Sequence, residues 1–97
     1  MKFYRDDNND PRAEASGEFD LLASFLECDI QGDKNAGIEL LEYLEKKQGE
    51  RIGNAYCVTF DDQNVHVSVL EDNKDKKSYA RNHFFQAVEG WIVFISD

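Results

Sequence analysis

Two histidines, two cysteines and twenty carboxylates are the side chains of this chain whose types suit acid–base, nucleophilic or metal chemistry. His66 alternates with Val65, Val67 and Val69, so it faces away from their side of a strand, and His83 opens the last helical segment beside Phe84 and Phe85. Neither has a second histidine four residues on or a cysteine at ligand spacing, so a polar or capping role is expected rather than metal binding. Cys28 and Cys57 form no CxxC pair. Nothing electropositive precedes Cys57 to lower its thiol pKa, so both read as buried small hydrophobes in a reducing compartment.

Carboxylate pairs are too many for adjacency to single out an acid–base couple of the glycosidase kind. The six glycines are scattered, which leaves no phosphate-cradling loop. Phe84, Phe85, Trp91 and Phe94 recur at helical spacing and are expected in the core rather than around a ligand. No catalytic residue, cofactor or metal is expected, and a small enzyme would need a concave site pairing His66 or His83 with carboxylates.

The acids are unevenly placed. Between Asp6 and Glu45 there are twelve acids against two bases, Arg12 and Lys34, while the remaining charges nearly cancel. On helices in that stretch, Asp20 and Glu27 project away from one apolar stripe and Glu39, Glu42 and Glu45 from a second. An acidic outer face follows, made of Asp20, Glu27, Asp29, Glu39, Glu42 and Glu45, with Asp61 and Asp62 in a strand turn as further contacts. Such a face suits docking of a basic protein. The overall charge of -9 repels phosphate backbones and anionic lipid, so neither nucleic acid nor membrane is the expected partner.

Ninety-seven residues suffice for one compact domain, spanning 1–97, and twelve aromatic residues provide apolar area for its core. The N-terminus lacks an apolar signal-type run and no window approaches 18 apolar residues, which points to the cytosol.

These side chains are positioned by elements whose hydrophobic periods change along the chain. Lys2 to Arg5, the turn formers Asp6 to Pro11 and the alternating Arg12 to Ser16 predict a hairpin. Phe19, Leu22, Leu26 and Ile30 recur at helical spacing with Leu21 and Phe25 beside them, predicting a helix over 18–30. Asp33 is a plausible N-cap for a second helix, marked by Ile38, Leu40, Leu41 and Leu44 and ending near Gly49. Tyr56, Val58 and Phe60, a turn over 61–64, and Val65, Val67 and Val69 predict a second hairpin. Glu71 to Ser78 reads as a charged loop. Phe84, Val88, Trp91, Ile92 and Ile95 predict a final helix, with strand propensity competing in its last turn. The fold class is therefore α+β, a small antiparallel sheet packed against helices, in the order β-β-α-α-β-β-α.

Several of these segments together resemble the small bacterial YacL-like family: an aromatic before Arg5-Asp6, helices in the middle, Gly53-Asn54-Ala55-Tyr56 entering a hairpin, and Phe84-Phe85-Gln86-Ala87-Val88 in the closing helix. The resemblance implies a housekeeping protein without catalytic activity, possible as a homodimer. In size, acidity and want of catalytic signatures the chain is also similar to immunity proteins of bacterial toxin systems, including contact-dependent growth inhibition. That likeness implies a cytoplasmic inhibitor of a basic toxin nuclease domain, presenting carboxylates where phosphates would sit.

Overall fold

A computed structural model describes residues 1–71 and 75–96. Strands β1 (Lys2–Arg5) and β2 (Pro11–Glu14) form a two-stranded antiparallel ribbon. A 3-10 turn at Gly17–Phe19 leads into α1 (Asp20–Phe25), which continues as a π-helical turn, Leu26–Ile30. After α2 (Lys34–Lys46) come β3 (Gly49–Ile52), β4 (Tyr56–Phe60), β5 (Asn64–Val69) and β6 (Lys76–Ala80), a four-stranded antiparallel sheet in sequence order. Helix α3 (Arg81–Ile95) closes the fold.

The α+β class and the packing of a small antiparallel sheet on helices are as the sequence predicts. Two strands are added to the expected order. β3 and β6 flank the 56–69 hairpin, and each sends only one half-buried or buried residue inward, Arg51 and Tyr79. Their remaining residues are mostly polar, as befits edge strands that must not recruit another chain. The predicted charged loop thus splits: Lys76–Ser78 are strand, and 72–74 lie outside the described residues. The final segment is helical through Ile95, so its last turn is not strand.

The register makes the sheet two-faced. Tyr56, Val58, Phe60, Val65, Val67 and Tyr79 point inward and are buried. All three helical segments cover this face: Phe25 meets Tyr56 edge-on, Tyr43 and Phe84 both meet Phe60, and Phe19 stacks on Tyr79. Leu22, Leu26, Ile30, Leu40, Val88 and Trp91 complete the core. On the other face, Cys57, Thr59, His66 and Ser68 are half-buried, while Glu50, Ile52, Lys76 and Ser78 are exposed.

The helices are fastened to each other and to the ribbon by specific contacts. Gly37 of α2 lies so close to α3 that a Cβ there would sit 2.7 Å from Ile92 Cγ1. The Trp91 indole N–H donates to the Gln31 carbonyl at 2.8 Å, where the π turn ends. Phe3 of β1 packs edge-on against Trp91 and tilted against Phe94, and Arg5 lies over the Phe94 ring.

Candidate functional site

Helix α2 carries the densest unpaired charge among the expected site residues. Asp33 caps it, its carboxylate accepting the N–H groups of Asn35 and Ala36 at 3.0 and 3.2 Å. The helix ends where Lys47 turns left-handed, with φ of 61°. Between these stops, Gly37, Leu40 and Leu44 are buried, so the 3.6-residue period sends Glu39, Glu42 and Glu45 outward, and all three are exposed. Among the described residues none of the three lies within an ion pair.

An apolar strip runs beside these acids. Ile38 is 39% exposed and Leu41 half-buried. Across the α2–α3 contact at Gly37 and Ile92, Phe85 and Glu89 lie seven and three residues before Ile92, hence on its side of α3. Phe85 is 41% exposed and Glu89 exposed. The seam between the helices is therefore an apolar strip bordered by carboxylates.

The other expected contacts are distributed differently. Asp20 is exposed on α1 and lines a cleft with Ser24, Tyr56, Lys76 and Lys77, to which α2 contributes no residue. Glu27 is drawn into an internal role, one oxygen accepting the Ala13 N–H at 3.1 Å and the other pairing with Arg12 at 3.0 Å. It fastens the ribbon to the helix rather than facing a partner.

Asp29 corrects the expectation of an outward acid most plainly, because its side chain is fully enclosed. It accepts the N–H groups of Ala55 and Tyr56 at 3.0 and 3.1 Å, with Arg51 Nη1 4.0 Å away. A signal for this was present. Asp29 stands seven, four and three residues after Leu22, Phe25 and Leu26, in the middle of the apolar stripe.

Asp62 is exposed at the β4–β5 turn, where Asp61 is committed to the turn itself. Asp61 Oδ1 accepts the N–H groups of Gln63 and Asn64 at 2.8 and 2.6 Å. Its other oxygen lies 2.8 Å from His66 Nε2, and His66 Nδ1 lies 2.6 Å from Ser78 Oγ. The hydrogen bond from His66, followed by those from the turn N–H groups, lowers the Asp61 pKa to about 2. Nothing in the local sequence marks this alignment, because Ser78 lies on β6, whose charged residues show no apolar alternation. His83 meets the ring of Phe19 edge-on and lines a cleft with Met1, Phe3, Gln86 and Ala87.

Burial pushes the thiols of Cys28 and Cys57 upward in pKa, Cys28 further through Glu27 and Asp29 and Cys57 through Glu50, which disfavours the nucleophilic thiolate in both. Cys28 is exposed and Cys57 half-buried, so neither is the enclosed side chain the sequence suggests. No helix among the described residues is long and apolar enough to cross a membrane. Among them, too, no group of three or more His, Cys, Asp or Glu side chains is placed to hold a metal ion. Compared with protein-family models, curated proteins and solved structures, the chain matches none of them.

Proposed function

We propose that this chain is a binding protein that docks a basic protein on the α2 face, and that its partner is a toxin nuclease domain which it neutralises in the cytosol. The observation that carries the proposal is the arrangement of Glu39, Glu42 and Glu45. They are exposed on one helix, flank the exposed Ile38, and are not consumed by ion pairs among the described residues.

An interface of this kind divides its labour. Apolar anchors supply most of the affinity: Ile38, Leu41 and Phe85 along the seam. The carboxylate border attracts a positively charged surface and raises the association rate. A nuclease groove that binds phosphates offers such a surface, and carboxylates presented to it would occlude it. The acidic platform is smaller than the sequence suggests, since Glu27 and Asp29 serve the fold.

The test pairs the full chain with the product of the neighbouring gene. Co-purification and inhibition of that protein's nuclease activity are expected, with association slowing as salt rises. Reversing Glu39, Glu42 and Glu45 together to Lys should slow association about tenfold or more and flatten its salt dependence. A neighbour that neither binds nor is inhibited, or a triple variant that associates unchanged, overturns the proposal.

A further inference from the structure

The open face of the four-stranded sheet carries an Asp–His–Ser relay that the docking reading does not use. Three elements assemble it. The β4–β5 turn supplies Asp61, β5 supplies His66, and β6 supplies Ser78, which the antiparallel register sets directly opposite His66. The distances are 2.8 Å from Asp61 Oδ2 to His66 Nε2 and 2.6 Å from His66 Nδ1 to Ser78 Oγ.

Hydrogen-bond chemistry orders the protons along this line. An ionised Asp61 only accepts, so it selects the imidazole tautomer with its proton on Nε2. Nδ1 is then left with a lone pair, and the Ser78 hydroxyl donates to it. Asp61 is itself held still, because its second oxygen accepts two backbone N–H groups of the turn. A base oriented by a carboxylate and touching a hydroxyl is the arrangement that activates a serine nucleophile.

We propose that Ser78 is a nucleophile toward small activated acyl esters, with His66 as its general base and Asp61 as the positioning residue. Ser78 Oγ attacks the ester carbonyl carbon as its proton passes to His66 Nδ1. The tetrahedral adduct collapses by breaking the bond to the leaving oxygen, which takes the proton from His66 or departs as the anion while His66 releases the proton to water. Water then attacks the acyl-Ser78 carbonyl, giving its proton to Nδ1, and the carboxylic acid leaves as the proton returns to Ser78 Oγ. The net change is ester plus water to acid plus alcohol. Lys76 precedes Ser78 by two residues and so lies on the same side of β6. Because Ser78 stands exposed on a sheet face, the acyl donor is small and carries a good leaving group.

The experiment uses the full chain and 4-nitrophenyl acetate, reading nitrophenolate release together with peptide mapping of the acetyl group. Acetylation of Ser78 and catalysed release are expected. Ser78→Ala should abolish both, and His66→Gln should lower the Ser78-dependent rate by about 10²-fold or more, the usual worth of a positioned base. Asp61→Asn should lose most of the rate and Asp61→Glu recover part of it, with thermal unfolding confirming that each variant is folded. Acetyl groups confined to lysines or to Cys28, or release that persists in Ser78→Ala, overturn the proposal.

Discussion

The carboxylate of Asp29 accepts the backbone N–H of Tyr56 at 3.1 Å, joining the last turn of the first helical segment to the start of β4. Its other oxygen accepts the N–H of Ala55 at 3.0 Å. One side chain thus satisfies two donors of the β3–β4 turn, and it does so from a position shielded from water. Arg51 balances part of the buried charge, although its Nη1 has no hydrogen-bond partner among the described residues. The energetic weight of such an acceptor lies in what its loss leaves behind.

Asp29→Ala removes the acceptor and strands two N–H groups and a guanidinium. A loss of about 3 kcal/mol in urea unfolding is expected, at the level of one broken buried pair. Asp29→Asn keeps one accepting oxygen and should lose roughly half as much. A near-neutral Asp29→Ala variant would show that the turn does not depend on this carboxylate.

Two glycines sit where a Cβ would collide, one inside a helix and one in a turn. A Cβ at Gly53 would strike Asp29 Oδ2 and come within 2.7 Å of Arg51 Nη1 and 2.9 Å of Asp29 Cγ. These atoms are fixed by the turn they cap, so Gly53→Ala should destabilise by about 2 kcal/mol or more. At Gly37 the obstacle is Cγ1 of Ile92, close to the backbone of a β-branched side chain that is stiff at χ1, so α3 must give way for a methyl group to fit. Alanine there also gains up to about 1 kcal/mol of helix propensity, which offsets part of that cost, so Gly37→Ala should destabilise less than Gly53→Ala. Equal losses at the two positions would contradict this account.

Much of this architecture was legible because the period of the apolar residues alternates between two and 3.6. The 56–69 hairpin buries alternate residues, and the stripes of α2 and α3 are buried at Leu40, Leu44, Phe84, Val88 and Trp91, while Ile38 at the edge of the α2 stripe is exposed. Edge strands give no such signal, since β3 and β6 each shield a single residue from solvent and have no apolar alternation to display. The π turn escapes for another reason. Its wider hydrogen bond, from Gln31 N–H to Leu26 O at 2.8 Å, leaves no trace in a stripe of Leu26 and Ile30. The spacing of Asp29 places it inside the apolar stripe, against the outward position its charge alone suggests. The Asp61–His66–Ser78 alignment needs the β5–β6 register, and register is a tertiary fact.

Asp61 ties the acid stability of its turn to a defined window. Its folded pKa of about 2 lies below the ordinary 3.8, so the ionised form is favoured by folding. The resulting stabilisation is present above pH 3.8 and is lost as pH falls toward 2. Asp61→Asn should remove this dependence. Amide exchange at Gln63 and Asn64 gives the readout, with protection in the parent falling through that range and protection in the variant independent of pH across it. A variant whose protection still falls through the same range would place the titration elsewhere.

At alkaline pH the sign reverses, and Tyr79 is the group to watch. It is buried on β6, stacks on Phe19 and donates its hydroxyl to the Glu18 carbonyl at 2.7 Å. Burial, with Glu18 and Asp20 nearby, pushes its pKa up to about 12 from 10.0. Folding therefore favours the protonated phenol. The stabilisation it brings is complete below pH 10 and disappears as pH rises toward 12. Burial raises Tyr56 in the same direction, so the parent alone cannot assign the alkaline fall to one residue. Tyr79→Phe resolves it: the variant should lose about 1 kcal/mol at neutral pH with the hydrogen bond to Glu18, and then decline less steeply than the parent between pH 10 and 12. Parallel curves of urea midpoint against pH for parent and variant would show that the hydroxyl of Tyr79 does not govern how the 3-10 turn holds to β6.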